Sequence, residues 1–143
     1  MINSSAYFWR INPATLAPAK PRSRVIRGGP LLDLPKLQGL LGAGNFDLDL
    51  LRIATDKCQR DLENERWTHA DVLQMLVCLN GPADYRKSEW CQVTGGGMVA
   101  CDVYVLPYDG LRQQRQARAL PVYLKFSLDD LGSLTIVMVS CHS

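Results

Sequence analysis

The chain has 143 residues, 47% of them apolar, and a formal net charge of +2. That size and apolar content fit one globular domain with its own core and exclude a disordered or fibrous class. No stretch approaches the roughly 20 apolar residues of a membrane span, so a cytoplasmic protein without membrane contact is expected. The five cysteines (58, 78, 91, 101, 141) are an odd set without a C-x-x-C pair. This argues against a disulfide framework and a structural zinc site, and predicts reduced thiols with no metal or cofactor. The N-terminus also lacks the charged and apolar regions of a secretory signal.

Residues 1–30 carry Arg10, Lys20, Arg22, Arg24 and Arg27 and no acid, which leaves a mildly acidic body over 31–143. This divides the chain into a basic arm and a single domain. The arm holds Pro13, Pro18, Pro21 and Pro30 and shows no sustained periodicity. It is either flexible or docked through Tyr7, Phe8 and Trp9. Its charge suits nucleic acid or an acidic partner.

A first helix is expected from about Asp33 to Leu41. Asp33 is a good N-cap, Pro35 falls in the first turn, and Leu34, Leu37, Leu40 and Leu41 form one stripe. A weaker helical pattern covers Leu50–Leu62. The clearest helix runs from Thr68 to Leu79, with Thr68 as cap, Asp71 three residues on, and Asn80-Gly81-Pro82 as the stop. Beyond Pro82 the pattern turns to strands. Asp102–Leu106 is short and β-branched, and Val122–Leu128 alternates strictly. Leu134–Val139 is apolar on both parities and reads as a central strand. Asp129–Ser133 forms the connection between the last two. Helices first and strands later predict an α+β fold, with N-terminal helices on one face of an antiparallel sheet.

Polar clusters interrupt these strands: Asp84-Tyr85-Arg86-Lys87-Ser88, Cys101-Asp102-Val103-Tyr104, Pro121-Val122-Tyr123-Leu124-Lys125 and Val139-Ser140-Cys141-His142. Lys and Arg supply fixed positive charge, Tyr donates a hydrogen bond or a proton, and His changes charge near neutral pH. Together these groups suit metal-free RNA cleavage, which uses the neighbouring 2′-hydroxyl as nucleophile. Tyr123 and Lys125 lie two apart and share a strand face. Arg112, Arg115 and Arg118 lie three apart, and on a helical turn they would form a basic stripe for phosphates. Gly95-Gly96-Gly97 lacks the Lys-Ser/Thr of a phosphate loop. Cys141 and His142 are adjacent, so a strand would point them to opposite faces, against a cysteine-nucleophile hydrolase.

From about Pro30 to His142 the chain resembles the MqsR (motility quorum-sensing regulator) family of type II toxins. The residues that carry this are the Leu-rich first helix and the capped helix with Met75-Leu76-Val77. After them come Asp84-Tyr85-Arg86-Lys87-Ser88, Asp102-Val103-Tyr104, Val122-Tyr123-Leu124-Lys125 and Val139-Ser140. The resemblance implies a RelE-like fold and a ribosome-independent mRNA endoribonuclease (mRNA interferase). It also implies neutralisation by a cognate antitoxin with a helix-turn-helix DNA-binding part. By position, Lys87 and Tyr123 match the family's catalytic lysine and tyrosine. Cys101 stands where the family has glutamine, and His142 where it has a C-terminal lysine. The expected catalytic residues are therefore Lys87, Tyr123 and His142. Arg86, Lys125, Arg112, Arg115 and Arg118 are expected on phosphates. The alternative is a non-catalytic module on the same fold that binds RNA or the antitoxin.

Overall fold

The computed structural model describes residues 5–18, 24–129 and 134–143. Lys20 and Arg22 of the basic arm, and Asp130–Ser133 of the expected connection, lie outside them.

Helix α1 spans Leu34–Leu41; Asp33 caps it by accepting from the Lys36 N–H at 3.1 Å, and Leu34, Leu37 and Leu41 are buried. Helix α2, Asp56–Glu65, begins at the Thr55 cap and ends at Arg66, whose φ of 60° is left-handed. Helix α3, His69–Cys78, carries the full capping box: the Thr68 side chain accepts from Asp71 N–H, and the Asp71 carboxylate accepts from Thr68 N–H. Such a box satisfies two N–H groups that the first turn leaves open. Asn80 does not simply end α3; it caps a further short helix, α4, Gly81–Asp84.

Among the described residues the sheet has seven strands, six in the order β1-β3-β4-β6-β7-β2 and β5 paired to β4 outside that path. They are β1 (Val25–Ile26), β2 (Leu51–Ile53), β3 (Tyr85–Gln92), β4 (Met98–Asp109), β5 (Gln114–Arg115), β6 (Pro121–Asp129) and β7 (Thr135–His142). The fold class is α+β, as expected. The sheet is mixed, however, because β2 pairs parallel to β7 while the other pairings are antiparallel. The helical pattern expected from Leu50 is thus a strand up to Ile53 and becomes a helix only after Thr55.

The helices cover one sheet face. Leu37, Leu62, Val72, Met75 and Leu76 pack there on Tyr104, Leu106, Leu124, Phe126, Ile136 and Met138, all buried. The opposite face carries a smaller apolar cluster of Ala54, Cys91, Cys101, Val137 and Val139. The far ends of the sheet curl together over that cluster. Thr94, just past β3, donates its N–H to the Ala54 carbonyl at 3.0 Å, and its hydroxyl accepts from Asp56 N–H at 2.9 Å. The curl leaves the remaining part of this face open, and Arg86, Lys87, Tyr123, Lys125 and His142 stand there.

The described part of the arm is docked. Phe8 joins the main core, Trp9 bridges to Leu32, and β1 pairs with the edge of β3. Gly29 crosses so close to β3 that a Cβ there would collide with Ser88 Oγ and Tyr85 Oη. Beneath this crossing the buried Asp102 carboxylate accepts from Leu31 N–H, Leu32 N–H and Ser88 Oγ at 2.6–3.1 Å. Burial pushes its carboxyl up, and those three donors work against that rise.

Candidate functional site

Strand alternation places Tyr123 and Lys125 on the open face and Val122, Leu124 and Phe126 among the buried residues. Pairing then aligns the other strands with them. Lys125 lies between Val103 of β4 and Ser140 of β7, and Lys87 lies opposite Val103. One step along, Tyr123 lies between Val105 and His142. The result is a groove of about 450 Å³ floored by Val103 and Val105 and walled by Arg86, Lys87, Tyr123, Lys125 and His142. All three expected catalytic residues, and two of the five expected phosphate contacts, meet in it.

Arg86 and Lys87 are neighbours, and in a regular strand they would point to opposite faces. The β3–β4 register shifts between Tyr85 and Lys87, so a bulge at Arg86 lets both cations line the groove. Arg86 Nη1 is steadied by the Ala83 and Tyr85 carbonyls at 3.1 and 3.3 Å.

The Tyr123 and His142 rings stack, with centroids 5.4 Å apart and planes inclined by 22°. Tyr123 is 43% exposed, so its phenol faces solvent rather than the core. His142 Nδ1 lies 3.2 Å from the Ser143 carbonyl. When Nδ1 carries its proton toward that carbonyl, Nε2 is left to exchange a proton with a bound molecule.

Glu89 is the site residue that sequence reasoning missed. Its Oε1 pairs with Lys87 Nζ at 2.8 Å and its Oε2 with Lys125 Nζ at 3.1 Å. Burial works to raise its carboxyl, but the hydrogen bonds from Lys87 and Lys125 outweigh it and hold the group below the ordinary carboxylate range. The signal was a Lys and a Glu two apart in Lys87-Ser88-Glu89, which share a face only if the segment is a strand.

The Arg112/Arg115/Arg118 stripe does not form. The segment is a turn leading into β5, and Gln113 adopts a left-handed φ of 53°, which breaks any helical alignment. Arg112 pairs loosely with Asp109 at 3.9 Å. The Arg115 guanidinium reaches into the fold and pairs with the buried Asp84 carboxylate, with the Cys78 carbonyl 3.3 Å away. A buried carboxylate needs such a partner, and Arg115 is thereby withdrawn from phosphate binding. Arg118 lines a separate open cavity with Trp67 and Tyr108. None of the three lines the groove.

Cys101 is fully buried in the small cluster, opposite Glu89, and contributes packing. Cys141 faces the main core, with Met75 Sδ at 3.8 Å, while His142 faces the groove. Among the described residues no group of three or more His, Cys, Asp or Glu is arranged to hold a metal ion, and no helix is long and apolar enough to cross a membrane. Comparison with protein-family models, with curated proteins and with solved structures finds no match.

Proposed function

We propose that the chain is a metal-independent endoribonuclease, an mRNA interferase, with its site in the Lys87–Tyr123–His142 groove. The observation that carries this reading is the Tyr123–His142 stack beside Lys125, drawn from two strands into one groove. A phosphodiester seated there would meet lysines on its non-bridging oxygens, with a phenol and an imidazole at the reacting ones. The 2′-hydroxyl attacks phosphorus and loses its proton as the O2′–P bond forms. The P–O5′ bond breaks and O5′ takes up a proton. The products are a 2′,3′-cyclic phosphate and a 5′-hydroxyl. His142 serves as acid or base, Tyr123 orients the phosphate or shares in proton transfer, and Lys87 stabilises charge on the phosphorane. Lys87 must leave Glu89 to do so. Arg86 and Lys125 hold the flanking phosphates.

The same reading places the chain beside the RelE-like MqsR toxins, acting on mRNA in the cytoplasm and held in check by a cognate helix-turn-helix antitoxin. What supports it is the convergence of the residues that carry the resemblance. His142 in place of lysine fits, since it supplies the proton shuttle.

The Lys87–Glu89–Lys125 ion-pair chain favours a second reading. It half-neutralises the groove, and Cys101 offers no amide to it. A groove tuned in this way suits reversible binding of RNA or of the antitoxin without cleavage. RNA incubated with the purified chain in excess EDTA separates the two. The nuclease yields fragments, at a rate reduced by about 10²-fold or more in Tyr123→Phe and His142→Ala. The binding module yields only salt-sensitive complexes.

A further inference from the structure

His142 is the last residue of β7 and lines one wall of the groove. What fixes its ring comes from three directions. Tyr123 stacks on one face of the imidazole. Nδ1 lies 3.2 Å from the Ser143 carbonyl. Ser143 is in turn held by helix α2, because its Oγ donates to Glu65 Oε1 at 2.5 Å. That distance is in the short range of a hydrogen bond to an ionised acceptor. A chain of contacts therefore runs from Glu65, the last residue of α2, through Ser143 to the imidazole.

The helix end that carries Glu65 is itself well fixed. Helix α2 lies against β7, with Cys58 and Leu62 buried in the same core as Cys141. The Arg66 N–H donates to the Glu63 carbonyl at 3.2 Å and the Trp67 N–H to the Leu62 carbonyl at 2.9 Å, which closes the last turn. Glu65 nevertheless stands against the helix dipole, which favours cations in the last turn, and α2 has none there. The acid gains nothing locally; its bond is made to a residue 78 positions along the chain. A side chain that goes against local preference while making a long-range contact beside a site points to a role in that site.

We infer that Glu65 and Ser143 are positioning residues: they hold the Ser143 carbonyl against Nδ1, keep neutral His142 in its Nδ1–H tautomer and turn Nε2 to the groove. The hydrogen bond at one ring nitrogen decides where the proton sits on the other. The catalytic value of this rests on the nuclease reading; the tautomer does not. A free neutral imidazole favours its proton on Nε2, so the tautomer is a direct readout. Long-range 1H–15N spectra of the 15N-labelled full chain, without RNA and at a pH where the imidazole is neutral, should show the Nδ1–H form. His69, the other histidine, is assigned with His69→Gln. Glu65→Ala and Ser143→Ala should move the population toward Nε2–H. Glu65→Gln, whose amide oxygen still accepts from Ser143 Oγ, should keep Nδ1–H. With RNA, the two alanine variants should lower kcat about threefold to tenfold at unchanged KM, and Glu65→Gln should not. An Nε2–H form in the unaltered chain, or an unmoved tautomer in both alanine variants, overturns the inference whether or not RNA is cut. So does an unchanged kcat in variants whose tautomer has moved. The expected tautomers without any RNA cleavage would uphold the Glu65–Ser143–His142 contacts and overturn the nuclease reading alone.

Discussion

Strand β6 has two sides that obey different rules. On one, Leu124 and Phe126 are fully buried under the helices. On the other, Tyr123 and Lys125 stand over an open groove. The residues alternate along the same backbone, so the strand that the core holds rigid is the strand that aims the site. The covered side carries stability and tolerates no loss of volume. The open side carries the candidate site and contributes less to folding. Substitutions should therefore separate stability from function according to parity alone.

The largest effect belongs to the covered side. Phe126→Ala should cost about 3–5 kcal/mol in urea unfolding, the usual range for removing a buried aromatic ring. A loss under about 1 kcal/mol would show that the helix-covered face is not the core. On the open side, Tyr123→Phe should change stability by no more than about 0.5 kcal/mol while RNA cleavage falls about 10²-fold. Equal losses in both would erase the division.

Two further substitutions sharpen it. Arg115→Ala removes the partner of buried Asp84 and should destabilise by about 1–3 kcal/mol, reduced from the fully buried case because Arg115 is partly exposed. RNA affinity should hardly change, since Arg115 lies off the groove; a large loss there would return it to the binding surface. The smallest effect is expected for Glu89→Gln. Its carboxyl is held below the ordinary value of 4.5, so its stabilising contribution is present above that value and is lost as pH falls through the lowered one. The Gln variant should have a flatter acid limb of stability below about pH 4.5 and tighter RNA binding, because both lysines are released. An unchanged acid limb would remove Glu89 from the charge network.

The elements legible in the sequence were those with local signals. The α1 and α3 boundaries followed from Asp33 and the Thr68/Asp71 box, and β6 from its strict alternation. Strand β3 was illegible because Tyr85–Gln92 is rich in charge and its buried residues are the small Ser88 on one face and Cys91 on the other rather than a row of large apolar residues. The bulge at Arg86 breaks its period as well. With no strand expected over Tyr85–Gln92, Glu89 was not placed on the face of Lys87. Strand β2 had no local signal either, since it is held by parallel pairing with β7, far along the chain. The arginine run misled for the same reason: the partner of Arg115 is Asp84, 31 residues earlier. Local chemistry marked Lys87, Tyr123 and His142, while long-range pairing decided which other charges joined them.

The most direct test is cleavage of RNA by the purified, antitoxin-free chain in excess EDTA, with the fragment ends mapped and Tyr123→Phe run beside it. The account predicts 2′,3′-cyclic phosphate and 5′-hydroxyl ends that form without metal and largely vanish in the variant. Intact RNA from the folded protein, or cleavage undiminished in Tyr123→Phe, would contradict it.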